Sequence, residues 1–185
     1  FNPGITWSDV ATGKFSARWV DSGYIYADAG PMFFSRTNPY LKLAYMNSPV
    51  FQLFGDLICQ GLHYSTGQVP GIPYTETISN ELREKIVFNT EENINLVMTD
   101  GNSSEMSWDF TEHPLVVLSK GLWDATAIGA SMVYYYGRHP EVSCPLELCF
   151  MLWQGECNER FKRLKANEEE LNRIFIDIYG LQDEL

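Results

Sequence analysis

The side chains that most often bind metals or attack substrates are widely spaced in this sequence. The cysteines are Cys59, Cys144, Cys149 and Cys157, and the histidines are His63, His113 and His139. The cysteines lack the C-x-x-C spacing that is typical of zinc and redox sites. We therefore expect buried, reduced thiols in a cytoplasmic protein and polar packing roles for the histidines.

Carboxylates that could act in acid–base chemistry occur at Glu91 and Glu92, and again at Asp109 and Glu112. A catalytic site also needs a nucleophile or base and a residue that orients it. The sequence does not bring such residue types together around either pair. A stand-alone enzyme is therefore the least favoured hypothesis for this chain.

Composition and charge restrict the choice of partner. The 185 residues are 45% hydrophobic and 14% aromatic, enough for one large or two small domains with a packed core. The net charge of −11 argues at first against a nucleic-acid partner. The charge is uneven, however: it sums to zero over residues 1–75, to −7 over 76–112 and to −4 over 113–185. Residues 1–75 are thus the best candidate to approach a nucleic acid.

Membrane association is not expected, because the apolar runs are much shorter than the roughly 20 residues that span a bilayer.

The first half of the chain predicts short strands followed by helices. Aromatic and β-branched residues over 14–34 favour strands, with a hairpin connection at Asp21-Ser22-Gly23. Residues 38–62 predict two short helices, the second with Ser48 as its N-cap and Pro49 in its first turn. Residues 63–78 predict a loop, and 79–98 a helix that Ser79 caps.

The second half predicts an irregular stretch and then one long helix. Residues 99–116 and most of 117–144 lack helical or strand periodicity, apart from a possible strand over 130–137. A helix is predicted over 145–179, with Pro145 in its first turn and Gly180 at its end. Its apolar residues approach a heptad repeat: Leu146, Phe150, Trp153, Cys157, Phe161, Leu164, Leu171, Phe175 and Ile178. This stripe must pack on other helices of the chain or on a partner.

Three stretches carry a family resemblance: "GITWSDVATGKFSARW" (4–19), "SSEMSWDFTEHPL" (103–115) and "KANEEELNRIFIDIYGLQDEL" (165–185). They resemble the PglX family, the adenine-specific DNA methyltransferases of bacterial phage-exclusion (BREX) systems, and its restriction-associated relatives. In that family a catalytic core precedes a target-recognition segment, and the chain continues past the helical segment. The resemblance implies that this chain is a fragment of a larger enzyme.

The same resemblance implies that catalysis and S-adenosylmethionine belong to a part of the enzyme outside this chain. The family's catalytic signature is Asn/Asp-Pro-Pro-Tyr, which holds a flipped adenine. The nearest match here, Asn38-Pro39-Tyr40, lacks the second proline. We interpret it as a helix start, with Asn38 as the cap and Pro39 in the first turn. No cofactor and no catalytic activity are expected in this chain alone.

The order of elements is also similar to the target-recognition domains of type I restriction specificity subunits. We predict an α+β fold with a small curved mixed sheet and packed helices, then a helical part ending in a long helix. The predicted segments are 1–75 for target recognition, 76–144 as an acidic connecting scaffold packed on it, and 145–185 as a long helical segment.

The resemblance implies sequence reading in double-stranded DNA, without catalysis. Lys and Arg contact phosphates or guanine, and Ser, Thr, Asn and Gln reach phosphates or adenine edges. The candidate contacts lie in three clusters: Lys14, Ser16 and Arg18; Arg36, Thr37 and Asn38; and Tyr64, Ser65, Thr66 and Gln68. The implied partners are duplex DNA, the catalytic domain of the same polypeptide and other defence-system proteins.

A protein-interaction module is the alternative hypothesis. The acidic middle of the chain and the apolar stripe of the long helix would then dock other components of the defence system or a second copy.

Overall fold

The computed structural model describes residues 2–35, 37–59, 61–123 and 145–185, without the side chains of 121–123 and 145. Within these residues a small sheet and five α-helices confirm the predicted α+β class. The predictions for Arg36, His139, Cys144 and a strand over 130–137 lie outside the described residues.

The sheet consists of three short strands. They are β1 (Gly4–Trp7), β2 (Ala17–Val20) and β3 (Met32–Phe33), in the order β2-β1-β3. Both pairings are antiparallel, so the predicted mixed sheet is wrong for the described strands. The predicted hairpin at Asp21-Ser22-Gly23 is also wrong, because β1 separates β2 from β3. Strand β1, at the centre of the sheet, is not among the predicted elements, and its Ile5 and Trp7 are buried.

Two short helices follow the sheet as predicted. Helix α1 spans Pro39–Met46 and helix α2 spans Pro49–Ile58. The side chains of Asn38 and Ser48 accept hydrogen bonds from the amides of Tyr40 and Phe51, so both predicted N-caps are confirmed. A 3₁₀ turn at Val69–Gly71 lies in the loop that follows.

Two helices form the middle of the described chain. Helix α3 spans Asn80–Gly101, and the Ser79 hydroxyl accepts from the amide of Leu82, which confirms that cap. Helix α4 spans Pro114–Trp123, so the prediction of irregular structure is wrong for these residues. The amide of Leu115 donates to Nδ1 of His113, a side chain that is not a usual N-cap. Pro114 at the first position is a start signal that the prediction overlooked, because the preceding residue is not a usual cap.

The last helix, α5, spans Pro145–Tyr179, as predicted. Gly180 ends it with φ +65°, and the amide of Leu181 returns to the carbonyl of Ile176. The predicted continuous apolar stripe is wrong in part. Phe175 is 1% exposed, but Phe161 is 66% exposed, because the helix is buried at two separate stretches rather than along one seam.

The described chain forms two compact units. The first contains residues 1–94 and 166–185, and the second contains 95–165. Helices α3 and α5 each contribute residues to both units, and the segments 1–75, 76–144 and 145–185 remain a prediction.

The core of the first unit surrounds Tyr45 of α1. The Tyr45 ring lies 5.6 Å from Phe175 and stacks at 5.7 Å on Tyr179, measured between ring centroids. Its hydroxyl donates to the carbonyl of Pro73, as does the hydroxyl of Tyr179. The end of α5 is thereby fixed to the same core that supports the sheet.

Candidate nucleic-acid interface

The first candidate cluster lies where the chain enters β2. Lys14, Ser16 and Arg18 are exposed, whereas the intervening Phe15 and Ala17 are 7% and 6% exposed. Alternation of this kind places the three polar side chains on one side of an extended backbone. The predicted alternation of Lys14, Ser16 and Arg18 is thus present, although only Arg18 lies within the strand itself.

Two amide side chains from the helices hold this segment in place. The Oδ1 of Asn47 accepts from the Ala17 amide at 2.9 Å, and its Nδ2 donates to the Ala17 carbonyl at 3.0 Å. The Oε1 of Gln52 accepts from the Phe15 amide at 2.7 Å. These bonds satisfy backbone groups that lack a strand neighbour on that side, and they fix the direction of the exposed side chains.

The third candidate cluster lies beside the first. The Tyr64 amide donates to the Asp9 carbonyl at 2.7 Å, and the Ala11 amide donates to the Leu62 carbonyl at 2.9 Å. The ring of Tyr64 lies 4.8 Å from that of Phe15. The fold therefore brings together two polar segments, 12–18 and 63–68, that are separated by about 45 residues in the sequence.

Tyr64 itself does not belong to the surface, so its assignment as a candidate contact is wrong. Its side chain is 4% exposed, and its carbonyl accepts from Nε1 of Trp7 at 2.6 Å. The aromatic ring packs into the core because the backbone at 62–64 pairs with 9–11 and turns the ring inward.

The remaining residues of this cluster form a polar turn. Thr66 is exposed, and Ser65 and Gln68 are half-buried. The Ser65 hydroxyl donates to Oε1 of Gln68 at 3.1 Å, and the Gln68 amide donates to the Ser65 carbonyl. The turn is thus ordered by its own hydrogen bonds, and Thr66 projects from it.

The second cluster begins α1. Thr37 and Asn38 are exposed, and Oδ1 of Asn38 is engaged as the helix cap. Arg36 lies outside the described residues. Tyr40, in the first turn, places its ring 5.2 Å from that of Trp19 in β2, so this cluster is fixed to the sheet edge.

Some of the charged side chains on or near this surface have partners within the fold. Arg18 donates to the Ser8 hydroxyl at 2.9 Å, and Asp9 lies 3.0 Å from Nδ1 of His63. Lys42 is occupied inside the unit, with Nζ 3.0 Å from the centre of the Tyr74 ring, and burial lowers the pKa of its ammonium group.

One exposed feature was not predicted. Tyr24, Ile25 and Tyr26 lie outside the strands, with Ile25 82% exposed, and the Tyr26 ring packs on that of Phe34. The strand structure predicted over 14–34 is therefore wrong for these three residues. Gly23 is the sequence signal that favoured a turn and an exposed loop here. It adopts φ +102°, a conformation that glycine enters readily.

Several carboxylates and thiols that could take part in other chemistry instead form contacts within the fold. Glu92 accepts from Asn167, and Glu112 pairs with Lys120. Cys59 and Cys149 are buried as predicted, and Cys157 is half-buried. Among the described residues, no cluster of three or more metal-binding side chains occurs. The helices in the same ranges also include none with the length and apolarity needed to cross a bilayer.

Comparison with known proteins gives two relatives. The chain is 36% identical to the adenine-specific methyltransferase PglX of Lacticaseibacillus casei (strain Zhang) over 187 aligned positions, which include the whole chain. It is 32% identical over 63% of its length to the adenine-specific methyltransferase BrxX of Escherichia coli O9:H4 (strain HS). No protein-family model matches the chain. The chain spans 14% and 10% of the lengths of these relatives. It is homologous to part of the PglX and BrxX adenine-specific methyltransferases.

Proposed function

We propose that this chain is the DNA-recognition module of an adenine-specific DNA methyltransferase that acts in the bacterial cytoplasm in phage defence. In this proposal it positions duplex DNA for a catalytic domain elsewhere in the same polypeptide. That catalytic domain binds S-adenosylmethionine and transfers the methyl group. The homology to PglX and BrxX supports the methyltransferase context.

The observation that carries the recognition role is the pairing of residues 9–11 with 62–64. It sets Lys14, Ser16 and Arg18 beside the turn that contains Thr66. Cationic side chains on such a surface contact phosphates or guanine, and hydroxyl and amide groups read base edges. A sheet and two capped helices hold these loops. Binding residues are often found on loops that a rigid scaffold positions in this way.

The local structure of Asn38-Pro39-Tyr40 supports a catalytic site elsewhere. A methyltransferase signature needs the polar side chain free to accept from the amino group of a flipped adenine. The Oδ1 of Asn38 instead accepts from the amide of Tyr40 at 2.9 Å, and Pro39 begins a helix. This stretch acts as a helix start.

The first test is charge reversal in the full polypeptide that carries this chain. Lys14→Glu with Arg18→Glu is expected to abolish methylation of host DNA, because two phosphate or guanine contacts become repulsive. Lys162→Glu is the control: it reverses one charge at a lysine whose side chain is 70% exposed in the second unit. Unchanged methylation in the double variant, measured by sequencing modified bases, contradicts the proposal.

The second unit favours a protein-interaction role as the other candidate function. Met106 and Trp108 are 93% and 92% exposed in the turns between α3 and α4, next to acidic residues. Tryptophan is enriched at the centres of protein interfaces. In this candidate, other defence-system components or a second copy dock there. Light scattering during size-exclusion chromatography tests the second copy: self-association that Trp108→Ala removes supports it.

A further inference from the structure

The loop between β2 and β3 crosses the outer face of the sheet. Strand register pairs Thr6 with both Arg18 and Met32, so these three residues share the face opposite the core. The Thr6 hydroxyl donates to the Pro31 carbonyl at 2.8 Å, and the Asp9 amide donates to the Ala29 carbonyl at 3.1 Å. The returning half of the loop is therefore anchored over that face.

The loop carries an apolar tip on this anchored base. Ile25 is 82% exposed, and the tyrosines on either side of it, Tyr24 and Tyr26, are 49% and 46% exposed. The Tyr26 ring lies 5.5 Å from that of Phe34. A Cβ at Gly4 would lie 3.2 Å from the Phe34 ring, so this pair rests on the outer face of the sheet. The tip is thus supported by packing and by two hydrogen bonds at its base.

The surroundings of the tip distinguish among possible occupants. Arg18 lies on the same face and is exposed. Tyrosine hydroxyls and arginine both contact phosphate oxygens. The carboxylate of Asp21 is occupied by Nε1 of Trp19 at 2.8 Å. An apolar tip between two phenols, with an arginine on the same face of the sheet, matches duplex DNA, in which an inserted isoleucine separates two base pairs while the polar groups hold the backbone.

We infer that Ile25 is a wedge that inserts between base pairs of the target duplex, with Tyr24 and Tyr26 on the flanking phosphates. This inference rests on the proposed recognition function and adds a contact that deforms the DNA rather than reading its edges. Insertion unstacks a base step and bends the duplex, so specificity extends to base pairs that no side chain touches.

The test uses the full polypeptide and a duplex that contains its methylated motif, mapped beforehand in host DNA. The probe is 2-aminopurine placed at successive positions of that duplex, because its fluorescence rises when it is unstacked. The unsubstituted protein is expected to raise the signal at one step. Ile25→Ala is expected to remove that rise and to weaken binding roughly ten- to a hundred-fold, as for the loss of one buried apolar side chain.

Two further variants distinguish the loss of the wedge from a general effect on binding. Ile25→Met keeps an apolar tip and is expected to retain the fluorescence rise. Leu57→Ala, at an apolar residue of α2 that is 68% exposed, is the control and should bind like the unsubstituted protein. Ile25→Ala with unchanged affinity and fluorescence overturns the wedge. The double variant Lys14→Glu with Arg18→Glu then separates the two proposals. If it weakens binding, the wedge is wrong and the recognition function stands. If it also leaves binding unchanged, both proposals are wrong.

Replacing Asp28 distinguishes DNA from a basic protein as the partner of this loop. It is exposed in the same loop, three residues after Ile25. Phosphates repel its carboxylate, so Asp28→Asn is expected to tighten duplex binding. Weaker binding in Asp28→Asn overturns the DNA assignment.

Discussion

Asn47 forms a two-way hydrogen bond with the backbone of Ala17, accepting from its amide at 2.9 Å and donating to its carbonyl at 3.0 Å. A side chain at the end of α1 therefore takes the place of a neighbouring strand. Together with Gln52, which accepts from the Phe15 amide, this amide joins the helix pair to the segment that presents Lys14, Ser16 and Arg18.

Replacing Asn47 should loosen that segment. Asn47→Ala leaves the amide and carbonyl of Ala17 without their partner, and a buried unpaired group costs about 1–3 kcal/mol. The expected result is a fall of this size in the free energy of unfolding, measured by urea titration. Asn47→Asp retains the acceptor and should lose less. Equal stability of Asn47→Ala and the unsubstituted chain would refute this role.

Two phenylalanines on α5 should respond very differently to truncation. Phe175→Ala is expected to destabilise the chain by about 3–5 kcal/mol, because the side chain is 1% exposed in the core around Tyr45. Phe161→Ala, at a position that is 66% exposed, is expected to change stability by less than about 0.5 kcal/mol. Thermal or urea unfolding measures both. A large loss in Phe161→Ala would show that the predicted continuous stripe is buried in solution.

Tyr45 should make stability depend on alkaline pH. Burial, and then the neighbouring Tyr179 hydroxyl, raise the pKa of the Tyr45 hydroxyl above its ordinary value. The unfolded chain therefore loses this proton first, above the ordinary tyrosine pKa of about 10. The contribution is complete below that pH and is lost progressively as the pH rises from there towards the raised pKa of the folded state.

Tyr45→Phe should consequently flatten the stability profile above about pH 10. Tyr24→Phe, at an exposed tyrosine, is the control and should leave the profile unchanged. Urea titrations at a series of pH values make the comparison. A Tyr45→Phe profile that falls as steeply as that of the unsubstituted chain would count against the assignment.

Replacing Tyr64 and replacing Thr66 should have different effects, although both residues lie in one loop. Tyr64→Ala is expected to cost about 3–5 kcal/mol, as for a large aromatic residue removed from a core. Thr66→Ala is expected to leave stability unchanged and to alter methylation or DNA affinity, because the residue is exposed. Circular dichroism and a binding titration distinguish the two. Loss of stability in Thr66→Ala would remove it from the candidate interface.

Local signals in the sequence predicted much of the helical structure. Asn38, Ser48 and Ser79 were identified as caps because their side chains can accept from amides in the first turn. The bounds of α5 followed from Pro145 and Gly180. The start of α4 was missed although Pro114 occupies its first position, because the usual cap residue is replaced by His113, whose ring orientation the sequence does not specify.

The pairing of strands that are distant in the sequence could not be predicted from local patterns. The central position of β1 depends on contacts with two segments that are about 10 and 25 residues away, and β-structure is set by such neighbours. The burial of Tyr64 likewise follows from pairing with residues 9–11. The alternation of Lys14, Ser16 and Arg18 was predictable, because an extended backbone imposes it locally.

The most direct measurement is a surface graft in the full polypeptide. Residues 12–14, 16, 18 and 65–68 would be exchanged for those of a relative that methylates a different motif, with the buried Phe15, Ala17 and Tyr64 retained. Methylated adenines in host DNA would then be mapped by single-molecule sequencing. If this surface reads DNA, the methylated motif changes towards that of the donor. Persistent methylation at the original motif would contradict the recognition role.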